Sequence, residues 1–295
     1  MLARAKSDGT FARRYVPVPP QPPSVLADLY YVAPSSETLY NYMYEPADGS
    51  PQHNCAFERH TVSIADARAH ATGLSVHGNG FELWEVPSEI KNFRDNEEVR
   101  RIYYGECAAL ACAATGGKQG YVFDHQVRKR EAGRPPLTFG CHGDGSSPAA
   151  AGRIHNDYSE RSGHRRLAVV LGDAGEKEVE RYCIVNIWRS IAGPIVDTPL
   201  ALCDAESINA RDLQASEVRY TDRTGEIYLV AHSSRHRWFY YSHMDRREAL
   251  VFKQYDSQVS GVARYTPHTA FDLPDIPADA PLRESIEVRF LVIMD

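Results

Sequence analysis

From about residue 120 onward, the chain is a series of short hydrophobic runs separated by polar turn residues such as Asp173-Ala174-Gly175. Several short runs of this kind, with no regular alternation of strand and helix, are typical of a sandwich or jelly roll. The pattern therefore predicts a mainly β fold. Its predicted strands are residues 121–123, 167–171, 182–188, 227–230, 238–241, 250–252 and 286–293.

One long helix is predicted before this β-rich part. Asp95 can accept hydrogen bonds from the first turn of a helix. Apolar residues from Val99 to Ala114 then recur every three or four positions, and Gly116-Gly117 ends the pattern. The spacing predicts a helix over 96–115, and a similar spacing predicts a second helical piece over 61–72.

The patterns predict a single domain over residues 1–295. Prolines concentrated between residues 15 and 25 cannot form a helix or a central strand, so they predict an extended arm. A tyrosine-rich stretch over 30–44 follows, and its rings would suit a core edge or the contact between two subunits of a homodimer. We expect an arm and helical elaboration over 1–119 and a jelly-roll core over 120–295.

Composition is that of an ordinary globular protein and disfavours several functions. Of 295 residues, 43% are apolar and 24% are charged, and the formal net charge is −6. The acidic balance, without a long basic run, argues against binding to nucleic acid. No run approaches the length of a membrane-spanning helix, and no secretory signal is recognisable. The six cysteines form no C-x-x-C pair, which predicts reduced thiols and a cytoplasmic location.

The chemistry is expected at the sequence His155-Asn156-Asp157. The sequence has no G-x-S-x-G, Walker or complete G-x-G-x-x-G motif, so most nucleotide-dependent and serine-hydrolase classes are disfavoured. Residues i and i+2 of a strand point to the same side, so His155 and Asp157 can bind one metal ion. A second histidine would complete the two-histidine, one-carboxylate ligand set of non-haem Fe(II) oxygenases.

Two later histidines are candidates for the third ligand. His268 follows a β-rich run and precedes the final predicted strand, and a jelly roll brings distant strands together. His236 is the alternative, with Arg246-Arg247 placed beyond it. If His268 is the ligand, we expect His236 to lie beside Trp238 in an aromatic hairpin at the substrate entrance. Both residues, together with Trp188 on an earlier strand, would then contact the substrate.

Residues near the C-terminus are candidates for binding a dicarboxylate co-substrate. Arg283 and Ser285 stand at i and i+2 just before the final predicted strand, so they would face the same interior. A guanidinium group and a hydroxyl can bind the distal carboxylate of 2-oxoglutarate while its keto-acid end chelates iron. Arg289 has the same parity and could replace Arg283 or help it.

Several segments together resemble a known family. They are His155–Gly163, Asn186–Arg189 with Gly193-Pro194 and Pro199–Asp204, His236–Trp238 with Ala249–Lys253 and Tyr255–Ser257, and Pro267–Phe271 with Arg283–Arg289. They resemble the non-haem Fe(II)/2-oxoglutarate-dependent oxygenases of the type of the fungal gibberellin desaturase, the cephamycin methoxylation proteins and the fungal endoperoxide-forming oxygenases. The resemblance covers about residues 120–293, and the first third matches more loosely.

The resemblance implies a cupin-like double-stranded β-helix that uses Fe(II), 2-oxoglutarate and O2 to oxidise a small secondary metabolite. By position it makes His155 and Asp157 iron ligands. The roles of His268, Arg283 and Ser285 follow the general order of such sites. Hydroxylation, desaturation, cyclisation or endoperoxidation, with release of succinate and CO2, are all compatible with it.

Two other functions are compatible with the same residues. A non-catalytic jelly-roll subunit of a biosynthetic complex would keep the metal signature without decarboxylating 2-oxoglutarate. A metal-dependent cupin-type enzyme without this co-substrate would not need Arg283. In each case the expected ligand is a small natural product.

Overall fold

The computed structural model describes residues 4–5, 23–70, 73–138 and 148–295. The helices are α1 (Asn96–Glu98), α2 (Tyr104–Thr115) and α3 (Glu160–Glu176), with a π-helical turn at Val99–Tyr103 and 3-10 helices at Ala67–His70, Ala205–Ser207 and Ala210–Asp212. The strands are β1 (Arg4–Ala5), β2 (Ser24–Val32), β3 (Leu39–Tyr42), β4 (Phe57–Asp66), β5 (Phe81–Glu85), β6 (Gln119–Lys129), β7 (His155–Asn156), β8 (Tyr182–Ser190), β9 (Leu200–Cys203), β10 (Leu213–Arg219), β11 (Thr224–Val230), β12 (Trp238–Tyr240), β13 (Glu248–Asp256), β14 (His268–Ala270) and β15 (Glu284–Ile293).

A six-stranded antiparallel sheet forms one wall of the molecule, in the order β1-β6-β15-β8-β13-β5. Successive side chains of a strand point to opposite faces. On the outer face, Ile187 of β8 and Val288 of β15 pack with Leu110 of α2 in one buried cluster. On the inner face, Trp188 and Leu250 belong to a different cluster. The sheet therefore has one face covered by helix and one face turned toward the second sheet.

The second sheet has nine strands, in the order β2-β4-β12-β9-β14-β7-β11-β10-β3. This sheet curls so strongly that β7 comes close to edge strand β2, five positions away in the strand order. The backbone amide of Ile154, just before β7, donates a hydrogen bond to the carbonyl oxygen of Tyr30 on β2, at 3.2 Å. The curl encloses its own aromatic core, in which Tyr31, Trp238 and Phe271 are buried.

The two sheets meet across a shared hydrophobic layer. Trp188, Leu250 and Phe252 enter it from the six-stranded sheet, and Leu200 and Leu202 of β9 enter it from the nine-stranded sheet. Strands β14 and β7 follow β9 in that sheet, so their inward side chains reach the same layer. This arrangement confirms the predicted mainly β jelly roll with flanking helices.

One predicted strand is a helix. The hydrophobic run 167–171 lies inside α3, although the sequence alone favoured a strand. Ser159 begins the helix, because its side chain accepts a hydrogen bond from the backbone amide of Ser162 and the Ser162 side chain accepts one from the backbone amide of Ser159. Leu167 and Val170, three residues apart, then pack in one cluster against the six-stranded sheet. The hydrophobic run is compatible with a strand or a helix, and this capping box favours the helix.

The first third of the chain contributes strands as well as helices. A helical piece was predicted over 61–72, but the segment to Asp66 belongs to β4, where Ile64 and Asp66 are buried at alternating positions. The prediction holds only for Ala67–His70, which form a 3-10 helix, and residues 71–72 lie outside the described residues. Strands β3, β4 and β5 pair with β10, β12 and β13. The region 1–119, expected to be an arm with helical elaboration, is therefore also part of both sheets.

Three other expectations concern single elements. The helix predicted over 96–115 is confirmed, with the Asp95 side chain accepting from two amides of its first turn and a π-helical turn in its middle. The aromatic hairpin expected around His236 and Trp238 does not form, since β11 pairs with β10 and β7 whereas β12 pairs with β4 and β9. The proline arm over 15–25 lies mostly outside the described residues.

Candidate metal centre

Two neighbouring strands of the curled sheet bring three potential metal ligands together. His155 on β7 pairs directly with His268 on β14, and the centroids of the two rings are 4.5 Å apart. Asp157 follows β7, with its Oδ1 3.4 Å from His155 Nε2. One possible ligand atom from each residue lies within 4.8 Å of the other two. The structure therefore brings together the three residues that the sequence favoured.

Both imidazole rings are held so that the same nitrogen faces the centre. His155 Nδ1 lies 2.7 Å from the carbonyl oxygen of Arg153, and His268 Nδ1 lies 3.2 Å from that of Thr266. A carbonyl oxygen only accepts hydrogen bonds, so each Nδ1 must be the donor. Each Nε2 then carries a lone pair, which is the form of histidine that binds a metal.

Asn156, between the two ligands on β7, connects them to both sheets. Its Nδ2 donates to the carbonyl oxygen of Gln254 on β13, at 2.8 Å, and its Oδ1 accepts from the backbone amide of Thr266, at 3.0 Å. Thr266 lies two residues before His268, and Asn156 is fully buried. The middle residue of the motif therefore fixes the spacing between the first two ligands and the third.

The carboxylate of Asp157 is held mainly through one oxygen. Its Oδ2 accepts from Asn186 Nδ2 at 2.8 Å and from Arg289 Nε at 3.1 Å. Its backbone amide donates to Gln254 Oε1 at 2.8 Å. Burial favours the protonated acid, but the Arg289 guanidinium and the nearby His155 hold the pKa of Asp157 well below its usual range. Asp157 is therefore an anion with Oδ1 directed toward His155.

The third candidate ligand, His268, is neutral at physiological pH. Burial, followed by the nearby His155, lowers the pKa of His268 to about 3. The centre thus offers two neutral imidazole nitrogens and one carboxylate oxygen. Such a set, with open positions left for other ligands, suits Fe(II) in non-haem oxygenases. The residues present therefore fit the metal that the sequence led us to expect.

A buried arginine shares the cavity of these histidines. The cavity is lined by His155, His268, Trp188, Arg283 and six further residues. Arg283 Nη1 donates to the carbonyl oxygen of Thr198 at 3.1 Å, whereas Nε has no partner among the described residues. Burial, followed by repulsion from another arginine, lowers the pKa of Arg283 to about 10. This site therefore favours an incoming anion.

Ser285 and Arg289, the other residues of the predicted co-substrate site, both lie on β15, which begins one residue after Arg283. Ser285, Glu287 and Arg289 alternate along β15 with Ile286 and Val288, which pack on the helix side. Ser285 therefore points to the inner face, as expected, and is buried. This alternation explains why Glu287 and Arg289 both line the cavity.

Arg289 differs from Arg283 because carboxylates already surround it. Besides Asp157, it contacts Asp124 through Nη1 at 2.9 Å and Glu287 through Nη2 at 2.7 Å. Burial opposes the charge, but these three carboxylates raise the pKa of Arg289 well above its usual range. All three nitrogens thus have partners, and the structure does not offer Arg289 as a free receptor for a co-substrate carboxylate.

The three residues expected to contact substrate have separate locations. Trp188 lines the cavity, with the Arg283 guanidinium 5.4 Å from its ring centroid. His236 instead lies 3.3 Å from Asp212 and stacks on Tyr31. Trp238 donates to the hydroxyl of Tyr31 at 2.7 Å, inside the core of the curled sheet. The structure brings neither His236 nor Trp238 to the cavity of the metal centre.

The polar residues that hold Asp157 were not predicted from the sequence. Asn186 stood in one of the segments that carry the family resemblance, and Gln254 stood between two others. Both are fully buried. A polar residue inside an otherwise apolar strand was the available signal, because buried amides need specific partners. Which partner each one has depends on the register between strands, and the sequence did not give that register.

Comparisons with known proteins agree with this centre. A family model described as "Oxidoreductase/YMDC permease-like domain" matches residues 29–293. The "Fe(II)/2-oxoglutarate-dependent dioxygenase nvfI" of Aspergillus novofumigatus is 30% identical over 281 residues, covering 90% of this chain and 95% of that protein. The "Hydroxylase/desaturase CTB9" of Cercospora beticola is 28% identical over 308 residues, covering 94% of this chain and 93% of the relative.

A solved structure of an iron-dependent enzyme has a fold similar to that of this chain. The "iron and alpha-ketoglutarate-dependent endoperoxidase NvfI" superposes with a TM-score of 0.80 at 26% identity, covering 92% of this chain and 98% of that chain. Fold and site together define a non-haem oxygenase of the jelly-roll class. The chain belongs to the family of these Fe(II)/2-oxoglutarate-dependent dioxygenases, which confirms the resemblance seen in the sequence. No helix among the described residues is long and apolar enough to cross a membrane.

Proposed function

We propose that this enzyme oxidises a small secondary metabolite with Fe(II), 2-oxoglutarate and O2, and that His155, Asp157 and His268 are the iron ligands. The observation that supports the assignment is the meeting of these three side chains. Two of them, His155 and His268, line a cavity that also contains the buried Arg283. The names of the relatives, a hydroxylase/desaturase and an endoperoxidase, support an oxidative reaction on a small molecule.

The protein residues prepare the ligand set. When bound, Fe(II) would supply the oxidation chemistry with O2, at the expense of 2-oxoglutarate, which leaves as succinate and CO2. His155 and His268 present their Nε2 lone pairs because carbonyl groups hold both Nδ1 protons. Asp157 adds one negative charge, and so lowers the cost of holding a dication in a buried site. Three protein ligands leave half of an octahedral shell for other molecules.

Arg283 would bind the distal carboxylate of 2-oxoglutarate. Its guanidinium is buried, and its Nε has no hydrogen-bond partner among the described residues. A guanidinium fork matches a carboxylate in shape and charge. Ser285, two residues along and on the same face, would add a hydroxyl donor. Trp188 covers the guanidinium and would keep water away from this ion pair.

The remaining expectations concern the molecule as a whole. The division into 1–119 and 120–295 within one domain stays a prediction, and so do the cytoplasmic location and the homodimer. The choice among hydroxylation, desaturation, cyclisation and endoperoxidation depends on where the cavity holds the substrate relative to the metal.

Turnover of 2-oxoglutarate with Fe(II) tests the assignment of the ligands. We expect the wild type to form succinate and Asp157→Ala to lose this activity. Asp212→Ala is a matched control, because Asp212 lies 3.3 Å from His236 much as Asp157 lies 3.4 Å from His155, but outside the cavity. We expect the control to form succinate at the wild-type rate.

Three results would contradict the proposal in different ways. Full succinate formation by Asp157→Ala would show that the metal ligands are wrongly assigned. A wild type that decarboxylates no 2-oxoglutarate with any small substrate would indicate an accessory subunit. Substrate oxidation that needs neither 2-oxoglutarate nor Arg283 would indicate a cupin-type enzyme.

A further inference from the structure

A carboxylate can bind a metal through one oxygen or through both, and the structure restricts Asp157 to one. Two donors from neighbouring strands of the six-stranded sheet occupy its Oδ2: Asn186 on β8 and Arg289 on β15. We propose that Asn186 and Arg289 are positioning residues that hold Asp157 so that Oδ1 alone faces the metal. The inference rests on the proposed function, since it concerns the same metal centre.

The two donors form a single structural unit. Arg289 and Asn186 are direct partners in the antiparallel register of β15 and β8, so their side chains leave the sheet side by side on the same face. Asn186 is fully buried. Its amide can have only one orientation toward Asp157, because a carboxylate accepts hydrogen bonds and the NH2 group must therefore face it.

Arg289 is itself fixed from three directions. Nε donates to Asp157, Nη1 to Asp124 on β6, and Nη2 to Glu287 on its own strand. The guanidinium is planar and cannot rotate one of these bonds away without breaking another. Through Arg289 and Asn186, the Asp157 carboxylate is thereby held by β6, β8 and β15, three neighbouring strands of the six-stranded sheet. Asp157 itself follows β7 of the nine-stranded sheet.

This bracing has a consequence for the number of open metal positions. Three single-atom protein ligands leave three positions of an octahedron open. If Asp157 bound through both oxygens, only two would remain, and a chelating keto acid needs both. Keeping Oδ2 engaged with Asn186 and Arg289 therefore preserves a place for a further ligand beside the co-substrate.

Metal binding separates this role from a general effect on stability. We would measure the dissociation constant of Co(II), and its visible absorption spectrum, without co-substrate for the wild type, Arg289→Gln and Asn186→Ala. Replacing groups that hydrogen-bond a metal ligand typically weakens metal binding by about 10- to 100-fold. We expect that loss in both variants, with a changed Co(II) spectrum. Asn186→Asp, which places a second carboxylate against Asp157, should change the spectrum further.

Arg68→Gln is the matched control. Arg68 is also buried and also paired with a carboxylate, that of Glu248 at 2.8 Å, but it does not line the cavity of the metal centre. We expect this variant to unfold at lower temperature and to bind Co(II) as the wild type does. If Arg289→Gln does not fold, Asn186→Ala tests the same contact, because it removes one donor and no charge.

The possible results decide between the inference and its alternatives. Wild-type Co(II) affinity and spectrum in folded Arg289→Gln or Asn186→Ala would overturn the inference while leaving the proposed function intact. Unchanged Co(II) binding with weakened 2-oxoglutarate binding in Arg289→Gln would make Arg289 a co-substrate receptor instead. A wild type that binds no metal at all would overturn the proposed function, and the inference with it.

Discussion

Arg283, which is buried, and Arg289, which is half-buried, both line the cavity, but their surroundings give them different tasks. Arg289 contacts three carboxylates, one of which belongs to a proposed metal ligand. Arg283 forms no salt bridge among the described residues and donates from Nη1 to a backbone carbonyl oxygen. Burying a charge without a counter-ion costs free energy. That cost is recovered when an anionic ligand binds, which explains why Arg283 suits a co-substrate and Arg289 does not.

Removing the charge of Arg283 should therefore weaken 2-oxoglutarate binding without harming the fold. Hydrogen bonds to charged groups contribute about 1.5–3 kcal/mol, so we expect Arg283→Gln to raise the dissociation constant of 2-oxoglutarate at least about tenfold. The midpoint of thermal unfolding of the metal-free protein should not fall. Isothermal titration calorimetry and thermal unfolding would measure the two effects, with Arg283→Lys as the variant that keeps the charge. Wild-type affinity in Arg283→Gln would remove Arg283 from the site.

At the residue scale, spacing along the chain predicted some neighbours correctly. The i and i+2 relation placed His155 beside Asp157, and their side chains lie 3.4 Å apart. The same relation placed Arg283 and Ser285 on one side; both are buried, and their role toward a co-substrate stays a prediction. His236 and Trp238 were placed at the substrate entrance because they lie close to each other in sequence, but the structure puts them in a separate core. Partners from other strands depend on register, which a single sequence does not show.

At the scale of elements, α3 matters because it begins at Glu160, three residues after Asp157. Its capping residue Ser159 and the buried ring of Tyr255 on β13 fix where the helix lies. Gly163 allows the close approach, since a Cβ atom at this position would lie 2.7 Å from Cγ of the Tyr255 ring. A side chain here would push α3 away from β13 and disturb the segment that carries Asp157, the proposed metal ligand.

A pair of glycine substitutions tests this packing. Overpacking costs about 1–3 kcal/mol, and the gain in helix propensity offsets about 1 kcal/mol of it. We therefore expect Gly163→Ala to lower the free energy of unfolding by up to about 2 kcal/mol. Gly105→Ala in α2 is the control, because no atom lies within 4 Å of its would-be Cβ. That variant should gain about 0.5–1 kcal/mol. Urea unfolding measures both, and equal stabilisation by the two substitutions would show that α3 does not press against Tyr255.

The elements that the sequence predicted wrongly share one cause. The hydrophobic residues over 167–171 and over 61–72 are compatible both with the 3.6-residue period of a helix and with the two-residue period of a strand, because short runs do not distinguish the two. In α3 the capping box of Ser159 and Ser162 decides the outcome. In β4 the decision comes from pairing with β2 and β12. The helix over 96–115 was predictable because it is long and has a cap and a stop signal.

At the scale of the whole molecule, the site exists only because two sheets face each other. The curled sheet supplies His155, Asp157 and His268 from β7, its end and β14. The six-stranded sheet supplies Asn186 from β8 and Arg289 from β15, which hold the Asp157 carboxylate from the opposite side. The sequence predicted the jelly roll from its spacing of strands, but not that the first third would contribute strands to both sheets.

The central claim is that His155, Asp157 and His268 bind Fe(II) in a cavity where 2-oxoglutarate chelates the metal. Anaerobic titration with Fe(II) in the presence of 2-oxoglutarate tests it most directly. We predict a visible metal-to-ligand charge-transfer band in the wild type, and its loss in His155→Ala when that variant remains folded. A wild type that is loaded with iron and shows no such band, or a His155→Ala variant that keeps it, would contradict the claim.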